Sequence, residues 1–239
     1  MNRVVQNLKA ILAVAACLFA SLAVAQSTSS FPNMPVDSKT LRVQSQAEEV
    51  YERTDYERAF FIYRNELVPI GDKYGQYMVG FMYLTGKGVA EDRVAASAWY
   101  RLAAERDIKE FNQARDRVMA SLSDAERVES DRIFIELRQE YADIALLTQA
   151  VRKDYEKLQS PTGSRLGPGT GPMTVIDMTR PGGGTQTGAD YYGRIERRMK
   201  ARLDYIAKHA EIGIIDLDSD SIDIDSIERQ VAASLNQID

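Results

Sequence analysis

The sequence predicts an all-α protein, and three observations support that fold class. Apolar residues recur every three or four positions along most of residues 40–159. Glycine and proline, which interrupt helices, are concentrated in residues 160–188. In residues 74–107 a pair of glycines separates two stretches with helical apolar spacing. We therefore expect a helical body, a linker and a small helical C-terminal extension.

Residues 74–107 predict one helical hairpin. Gly80 lies inside the first helix, where glycine costs about 1 kcal/mol relative to alanine, so we expect a neighbouring backbone to approach it closely. Gly86 and Gly88 end this helix, because glycine readily adopts the left-handed conformation of helix C-termini. Asp92 is placed to cap the second helix. The buried face of the second helix is expected to hold Ala98, Trp99, Leu102 and Ala103.

A set of glycine, aromatic and small residues in this hairpin forms a recognisable pattern. Its members are Val79, Gly80, Tyr83, Gly86, Gly88, Val89, Asp92, Ala96, Trp99, Tyr100, Ala103, Ala104 and Glu105. The pattern resembles the Sel1-like repeat, a tetratricopeptide-related helical hairpin of exported bacterial proteins. The sequence departs from that pattern at Gly75, Leu102 and Asp107, where the family tends to have alanine, lysine and glycine. The resemblance implies a protein-interaction scaffold that has no catalytic activity and needs no cofactor.

The resemblance also implies a binding surface. In such stacks the first helix of each hairpin usually lines the concave face. Exposed aromatic residues of that helix, chiefly Tyr77 and Phe81 with Tyr74 beside them, are therefore the candidates for contact with a partner. The alternative is that these rings are buried against the preceding hairpin. The expected partner is another protein of the cell envelope.

A shorter helical pair precedes the hairpin. The first helix begins near residue 40, and the second begins at Tyr56, with Thr54 and Glu57 at capping-box spacing. Pro69 is expected to end the second helix. This pair resembles a degenerate tetratricopeptide-type hairpin stacked on the Sel1-like one.

Helical spacing continues beyond residue 107, although the glycine pair and the Trp-Tyr step do not recur. Ser123 and Glu126 form a second capping box, which opens one or two helices that run to about Gln159. A repeat stack needs capping elements with a polar outer side. We expect these helices to provide that cap and to complete a domain over residues 40–159.

The N-terminus has the pattern of a secretory signal peptide. Within residues 1–25, two basic residues precede an apolar run without acids, and the run ends in a small-residue cleavage site. The run of roughly 16 residues is shorter than a transmembrane helix requires. We expect cleavage after Ala25, a flexible lead-in over residues 26–39 and no transmembrane segment in the mature chain. Lipid attachment at Cys17 is the less favoured alternative.

The charge of the mature chain excludes one class of partner. Cleavage removes two of the 30 basic residues and none of the 35 acidic ones, so the net charge becomes −7 (28 minus 35). Binding to nucleic acid relies on a basic surface, so nucleic acid is not an expected partner. The mature chain also has no cysteine for disulfides or thiolate metal sites. The expected location is the periplasm or the exterior of the cell.

The C-terminal part divides into a linker and an extension. Residues 160–190 are rich in glycine and proline and read as a linker, in which the apolar stretch 173–178 adds a short strand or docks on the helical body. The extension, residues 191–239, begins with a basic amphipathic helix over residues 191–211. This helix either packs on the protein's own body, the favoured interpretation, or adsorbs to an anionic membrane or enters a partner's groove.

The acidic C-terminal segment suggests a calcium site. Asp216, Asp218 and Asp220 match the opening of an EF-hand loop, whose ligands are carboxylate oxygens. The rest of the loop does not match, because Ser221 replaces the required glycine and Ile227 replaces the bidentate glutamate. A calcium-responsive sensor is therefore an alternative function, and the expectation is that no metal is bound.

Enzyme motifs are missing from the sequence. No HExxH, nucleophile elbow or CxxC occurs. The single histidine, His209, lies near the end of the basic helix, where a cation suits the helix dipole. Asp225 and Glu228 have the spacing of a capping box for a final helix. The sequence thus favours a non-catalytic envelope scaffold, with the calcium sensor and a membrane-surface adaptor as alternatives.

Overall fold

The described chain is almost entirely helical, which confirms the predicted all-α class. The computed structural model describes residues 38–159, 174–176, 184–209 and 223–236. Among the described helices, none combines the length and the apolarity needed to cross a bilayer. The elements are α1 (Ser38–Glu52), α2 (Tyr56–Ile62), α3 (Lys73–Thr85), α4 (Arg93–Ala103), α5 (Lys109–Ser121), α6 (Asp124–Tyr141), α7 (Asp143–Gln159), β1 (Thr174–Ile176), β2 (Thr185–Thr187), α8 (Gly188–His209) and α9 (Ile224–Asn236).

The start of α2 differs from the predicted capping box. Thr54 has a left-handed backbone, with φ of 63°, and belongs to the turn after α1. The N-cap is Asp55, whose carboxylate accepts a hydrogen bond from the Arg58 amide at 3.4 Å. The prediction of Thr54 and Glu57 as the cap was wrong because the tight turn places Asp55 at the first non-helical position.

The end of α2 is also different from the expected stop at proline. The helix widens into a π-helical turn, Tyr63–Leu67, and then tightens into a 3₁₀ turn, Val68–Ile70, that contains Pro69. Proline fits there because its missing N–H lies in the first turn of the 3₁₀ segment. The helical path ends at Gly71, whose φ of 79° is left-handed.

Helices α3 and α4 form the predicted hairpin. A Cβ on Gly80 would lie 3.2 Å from the Ala96 carbonyl oxygen and from side-chain atoms of Trp99 and Tyr100. The expected close approach at Gly80 is therefore confirmed. Gly86 caps α3 with φ of 65°, and the Asp92 carboxylate accepts hydrogen bonds from two amides of α4, both at 2.9 Å.

The three departures from the repeat pattern have local explanations. A Cβ on Gly75 would lie 2.8 Å from Cβ of Leu67 in the π-helical turn, so alanine does not fit. Leu102 is fully buried, and an unpaired lysine ammonium group would be costly at such a position. Asp107 has φ of 55°, a conformation for which glycine is the least strained residue and which aspartate tolerates.

Helices α5, α6 and α7 follow the hairpin. The capping box at Ser123 and Glu126 is confirmed, since both reciprocal hydrogen bonds are present. Helix α6 packs along α4, and the hydroxyls of Ser97 and Ser130 lie 2.6 Å apart in this interface. The chain bends at Ala142, so the long helical segment is two helices, α6 and α7.

The two C-terminal helices dock on α7, and the two short strands contact α8. Strands β1 and β2 form a short antiparallel ribbon in which Val175 is paired with Gln186, and β1 lies in the stretch where a strand was expected. Helix α8 packs against α7 with its apolar side buried. That side consists of Tyr192, Ile195, Met199, Leu203 and Ile206. The basic helix therefore packs on the protein's own body, and its apolar face is not available to a membrane or a partner groove.

Two sets of ion pairs, which we call clamps, hold α8 and α9 on α7. In one clamp α7 supplies the carboxylate, and in the other it supplies the arginine. The buried carboxylate of Asp154 pairs with Arg198 and Arg202 of α8. Two residues earlier in α7, Arg152 pairs with Asp225 and Glu228 of α9. The predicted capping box at these two acids was wrong. The cap of α9 is instead the residue before it, Asp223, whose carboxylate accepts from the Ser226 amide at 3.0 Å.

Candidate functional site

The aromatic side chains predicted to contact a partner are buried. Tyr74, Tyr77 and Phe81 are 9, 8 and 7 % exposed. Tyr77 stacks on Phe111 of α5 with a centroid distance of 5.0 Å, and Phe81 lies 6.4 Å from Tyr51 of α1. The expectation that these rings are exposed was wrong because α1 and α5 flank α3 and cover its aromatic face.

The residues that define the hairpin pattern lie in and around its core. Trp99, Tyr100 and Ala103 are buried, and burial raises the pKa of the Tyr100 phenol well above its ordinary value. Tyr83 is partly exposed and packs edge-on against Phe60 at 5.4 Å. A Cβ on Gly88 would overlap the Tyr56 carbonyl, so this glycine lets the hairpin turn rest directly on the start of α2.

The most distinctive exposed feature is the π-helical turn of α2. Here the Val68 amide bonds to the Tyr63 carbonyl, five residues back. Such turns are rare, distort the register of side chains and occur frequently at functional sites. Just before this turn, at the end of α2, Phe61 is 59 % exposed. We call the residues Phe61, Arg64, Asn65 and Tyr141 the π-turn surface.

Arg64 is the ordered centre of this surface. Its guanidinium lies 4.9 Å from the centroid of the Trp99 ring and 4.7 Å from that of Tyr141. It also donates a hydrogen bond of 2.8 Å to the Tyr141 hydroxyl. Within the described part of the chain no carboxylate pairs with Arg64, so most of its N–H groups remain available to an acceptor.

The framework beneath the π-turn surface is fixed by a buried charge cluster. Lys73 at the start of α3 is 3 % exposed by side chain and lies 2.6 Å from a Glu105 oxygen and 3.1 Å from an Asp143 oxygen. Arg106 binds both oxygens of Asp143, at 2.7 and 2.9 Å, and donates to the Gly71 carbonyl at 3.0 Å. The cluster therefore joins the α2–α3 turn, the end of α4 and the start of α7.

Asp143 is ionised in this cluster. Burial alone raises the pKa of its carboxyl, but Lys73 and Arg106 outweigh burial and hold the pKa below its ordinary value. Both cations are in turn neutralised by Asp143 and Glu105. A buried ion set in which each charge is paired holds in place the helices that contribute its members.

The remaining candidate residues give no further site. In the described ranges no group of three or more His, Cys, Asp or Glu side chains is arranged to hold a metal ion. The calcium candidates Asp216, Asp218 and Asp220 lie outside the described residues, as do the proposed signal peptide and Cys17. His209 is exposed, stacks on Tyr205 at 3.9 Å and has Nδ1 2.8 Å from the Tyr205 carbonyl oxygen.

Sequence reasoning missed the π-turn surface. A π-helical turn contains one more residue than an α-helical turn. In a segment as short as 56–70, this extra residue does not visibly change the spacing of the apolar residues. One local signal was present, since Gly75 stands where the repeat pattern favours alanine. That glycine accommodates Leu67, the last residue of the π-helical turn.

No family model, no curated protein and no solved structure matches the chain. Its function is therefore inferred from the residues and the geometry described above.

Proposed function

We propose that the chain is a non-catalytic scaffold of the bacterial periplasm or envelope that binds another protein through the π-turn surface. The observation that carries this proposal is the exposed Phe61, which lies one helical turn before an arginine that is held over two aromatic rings at the π-helical turn. Aromatic residues and arginine are the types most enriched at the energetic centres of protein interfaces.

The helical hairpin supports the same proposal. Helices α3 and α4 meet at Gly80 and carry the residues of a Sel1-like pattern. We take α1 to α4 as two stacked hairpins of that type, with α6 along the second. The partner surface then lies on the second helix of the first hairpin, and not on the first helix of the second hairpin.

The chemistry of the surface defines what the partner presents. Phe61 requires an apolar side chain that covers its ring and removes it from water. Burial of apolar surface contributes roughly 25 cal/mol of binding free energy per Å². The available N–H groups of Arg64 require carbonyl or carboxylate oxygens, which form the stronger charge-assisted hydrogen bonds. The proposed occupant is therefore an envelope protein whose exposed apolar side chain is flanked by oxygen acceptors.

Site-specific photo-crosslinking in the native envelope tests this function. A photoreactive phenylalanine derivative at position 61 is expected to capture one discrete protein. The control is the same derivative at Val128 of α6, which is 70 % exposed. Because both positions are exposed, neither replacement is expected to disturb the fold.

The crosslinked products show whether the π-turn surface binds a specific protein. One product from position 61 that is absent from position 128 supports the proposal. Identical products from the two positions, or none from position 61 in cells that contain the folded protein, would contradict it.

A further inference from the structure

A buried glutamine joins the charge cluster to the junction between α6 and α7. Gln76 of α3 is fully buried. Its side-chain oxygen accepts a hydrogen bond of 3.1 Å from the Lys73 ammonium group, and its amide nitrogen donates one of 3.3 Å to the Tyr141 carbonyl. Because an ammonium group only donates and a carbonyl only accepts, these two partners fix the orientation of the amide. Gln76 thus connects Lys73 to the last residue of α6.

The junction depends on side chains because its backbone groups lie at helix ends. The Tyr141 carbonyl is one of the last four of α6, which have no N–H partner inside that helix. The first amide of α7, that of Asp143, donates to the Glu105 carboxylate at 3.1 and 3.2 Å. Gln76 and Glu105, the two side chains that hold the junction, are both bound to Lys73. One buried ammonium group therefore organises the supports on both sides of the α6–α7 bend.

Tyr141 connects this junction to the π-turn surface. Its hydroxyl accepts the 2.8 Å hydrogen bond from Arg64, and its ring centroid lies 4.7 Å from the guanidinium. The same hydroxyl donates its proton to Glu140, which leaves its lone pairs for Arg64. Trp99, the other ring beside Arg64, contacts the Tyr141 ring at 6.0 Å. A shift of the Tyr141 backbone would therefore disturb both contacts that Tyr141 makes with Arg64.

We propose that Gln76 is a positioning residue of the π-turn surface, an inference whose binding consequence rests on the proposed function. Gln76 is buried and acts through Tyr141, which orients the guanidinium of Arg64 toward the partner's oxygen acceptors. Without the Gln76 amide, the Tyr141 carbonyl would be buried and unpaired, which is unfavourable. The junction would then relax to give this carbonyl another donor, and Arg64 would populate other orientations.

The first measurement observes Arg64 in the free full-length chain. Gln76→Met keeps an unbranched side chain of similar length and removes both hydrogen bonds; Gln76→Leu serves if circular dichroism shows that the first variant is not folded. The reporter is the NMR signal of the Arg64 Nε–H group, which is assigned by its absence from Arg64→Lys. Aromatic rings shift the resonances of nearby protons, so this signal is expected to move in the Gln76 variant as the guanidinium leaves its place beside Trp99 and Tyr141.

A matched control separates positioning from a general loss of stability. Ser130 of α6 is also fully buried, and its hydroxyl lies 2.6 Å from that of Ser97. Ser130→Ala removes a buried hydrogen bond from the same helix, about three turns before Tyr141, and is expected to leave the Arg64 signal unchanged. An unchanged Arg64 signal in a folded Gln76 variant, or equal shifts in Ser130→Ala and the Gln76 variant, would overturn the proposal.

The second measurement is the affinity for the protein captured from position 61. If Arg64 is correctly oriented in only a fraction of the molecules, the apparent affinity falls by that fraction. Gln76→Met is expected to bind at least about threefold more weakly than wild type, and Ser130→Ala to bind like wild type. Weaker binding by Phe61→Ala together with wild-type binding by Gln76→Met would overturn the role of Gln76. Wild-type binding by Phe61→Ala together with a shifted Arg64 signal would contradict the proposed function and still support the link from Gln76 to Arg64.

Discussion

Replacement of Gly80 by alanine tests the packing of the α3–α4 hairpin. Three atoms, from Ala96, Trp99 and Tyr100, lie 3.2 Å from the position of the added Cβ. One of them is a backbone oxygen, which cannot move without shifting α4. Overpacking of this kind costs about 1–3 kcal/mol, and the gain of roughly 1 kcal/mol in helix propensity offsets part of it. Gly80→Ala is therefore expected to destabilise the protein by about 0–2 kcal/mol.

A matched control separates crowding from helix propensity. Gly193 also lies inside a helix, α8, but the nearest atom to an added Cβ is the tip of Arg197 at 3.5 Å, an ordinary contact. Gly193→Ala is expected to stabilise the protein by about 0.5–1 kcal/mol. Gly193→Ala is thus predicted to raise the free energy of unfolding. Gly80→Ala is predicted to lower it, or to leave it unchanged if crowding just cancels the gain in helix propensity.

Thermal unfolding of wild type, Gly80→Ala, Gly80→Val and Gly193→Ala measures these effects. For a chain of this size 1 kcal/mol corresponds to about 2–4 °C in Tm. Gly80→Val adds a Cβ and two methyl groups at a site where the Cβ alone is already crowded, and we expect a loss of stability of about 3 kcal/mol or more. Equal increases in Tm for Gly80→Ala and Gly193→Ala, or a wild-type Tm for Gly80→Val, would refute the close approach of the two helices.

Two further predictions concern the buried charges. Asp143→Asn leaves Lys73 and Arg106 without their shared counter-ion and should cost about 3–5 kcal/mol at neutral pH. Because the pKa of Asp143 is lowered in the folded state, its contribution is complete above the ordinary Asp pKa and is lost as pH falls through the lower folded value. Urea unfolding of wild type and Asp143→Asn is measured from about pH 7 to about pH 3. The difference in their free energies of unfolding should become smaller at acid pH. A difference that does not change with pH would contradict the ion pairing. Asp154→Asn should likewise cost about 3–5 kcal/mol by stranding the buried Arg202, whereas Glu228→Gln, in the exposed clamp, should leave Tm nearly unchanged, and equal Tm values for these two variants would contradict the assignment of the clamps.

Local rules predicted some features that depend on neighbouring residues, although they misplaced the N-caps of α2 and α9. Gly86, Asp92 and Ser123 were placed correctly because left-handed caps and N-caps depend on a few adjacent residues. The apolar side of α8 was also correct, since helical periodicity alone defines it.

Properties set by distant contacts were not predictable from the sequence. Tyr77 is buried because Phe111 of α5 covers it, and periodicity does not indicate which helices flank one another. Lys73 and Asp143 form a buried ion pair across a separation of 70 residues, although lysine and aspartate are residue types that usually lie at the surface. The π-helical turn that places Arg64 beside Phe61 is also not revealed by apolar spacing in a short helix.

One affinity measurement tests the central claim most directly. The protein that is captured from position 61 is purified, and its dissociation constant for the full chain is measured by calorimetric titration. Phe61→Ala is predicted to weaken binding at least about tenfold, which corresponds to about 1.4 kcal/mol. Val128→Ala, at an even more exposed apolar position outside the π-turn surface, is predicted to bind like wild type. Equal dissociation constants for wild type and Phe61→Ala, with both proteins folded, would contradict the claim that the π-turn surface binds the partner.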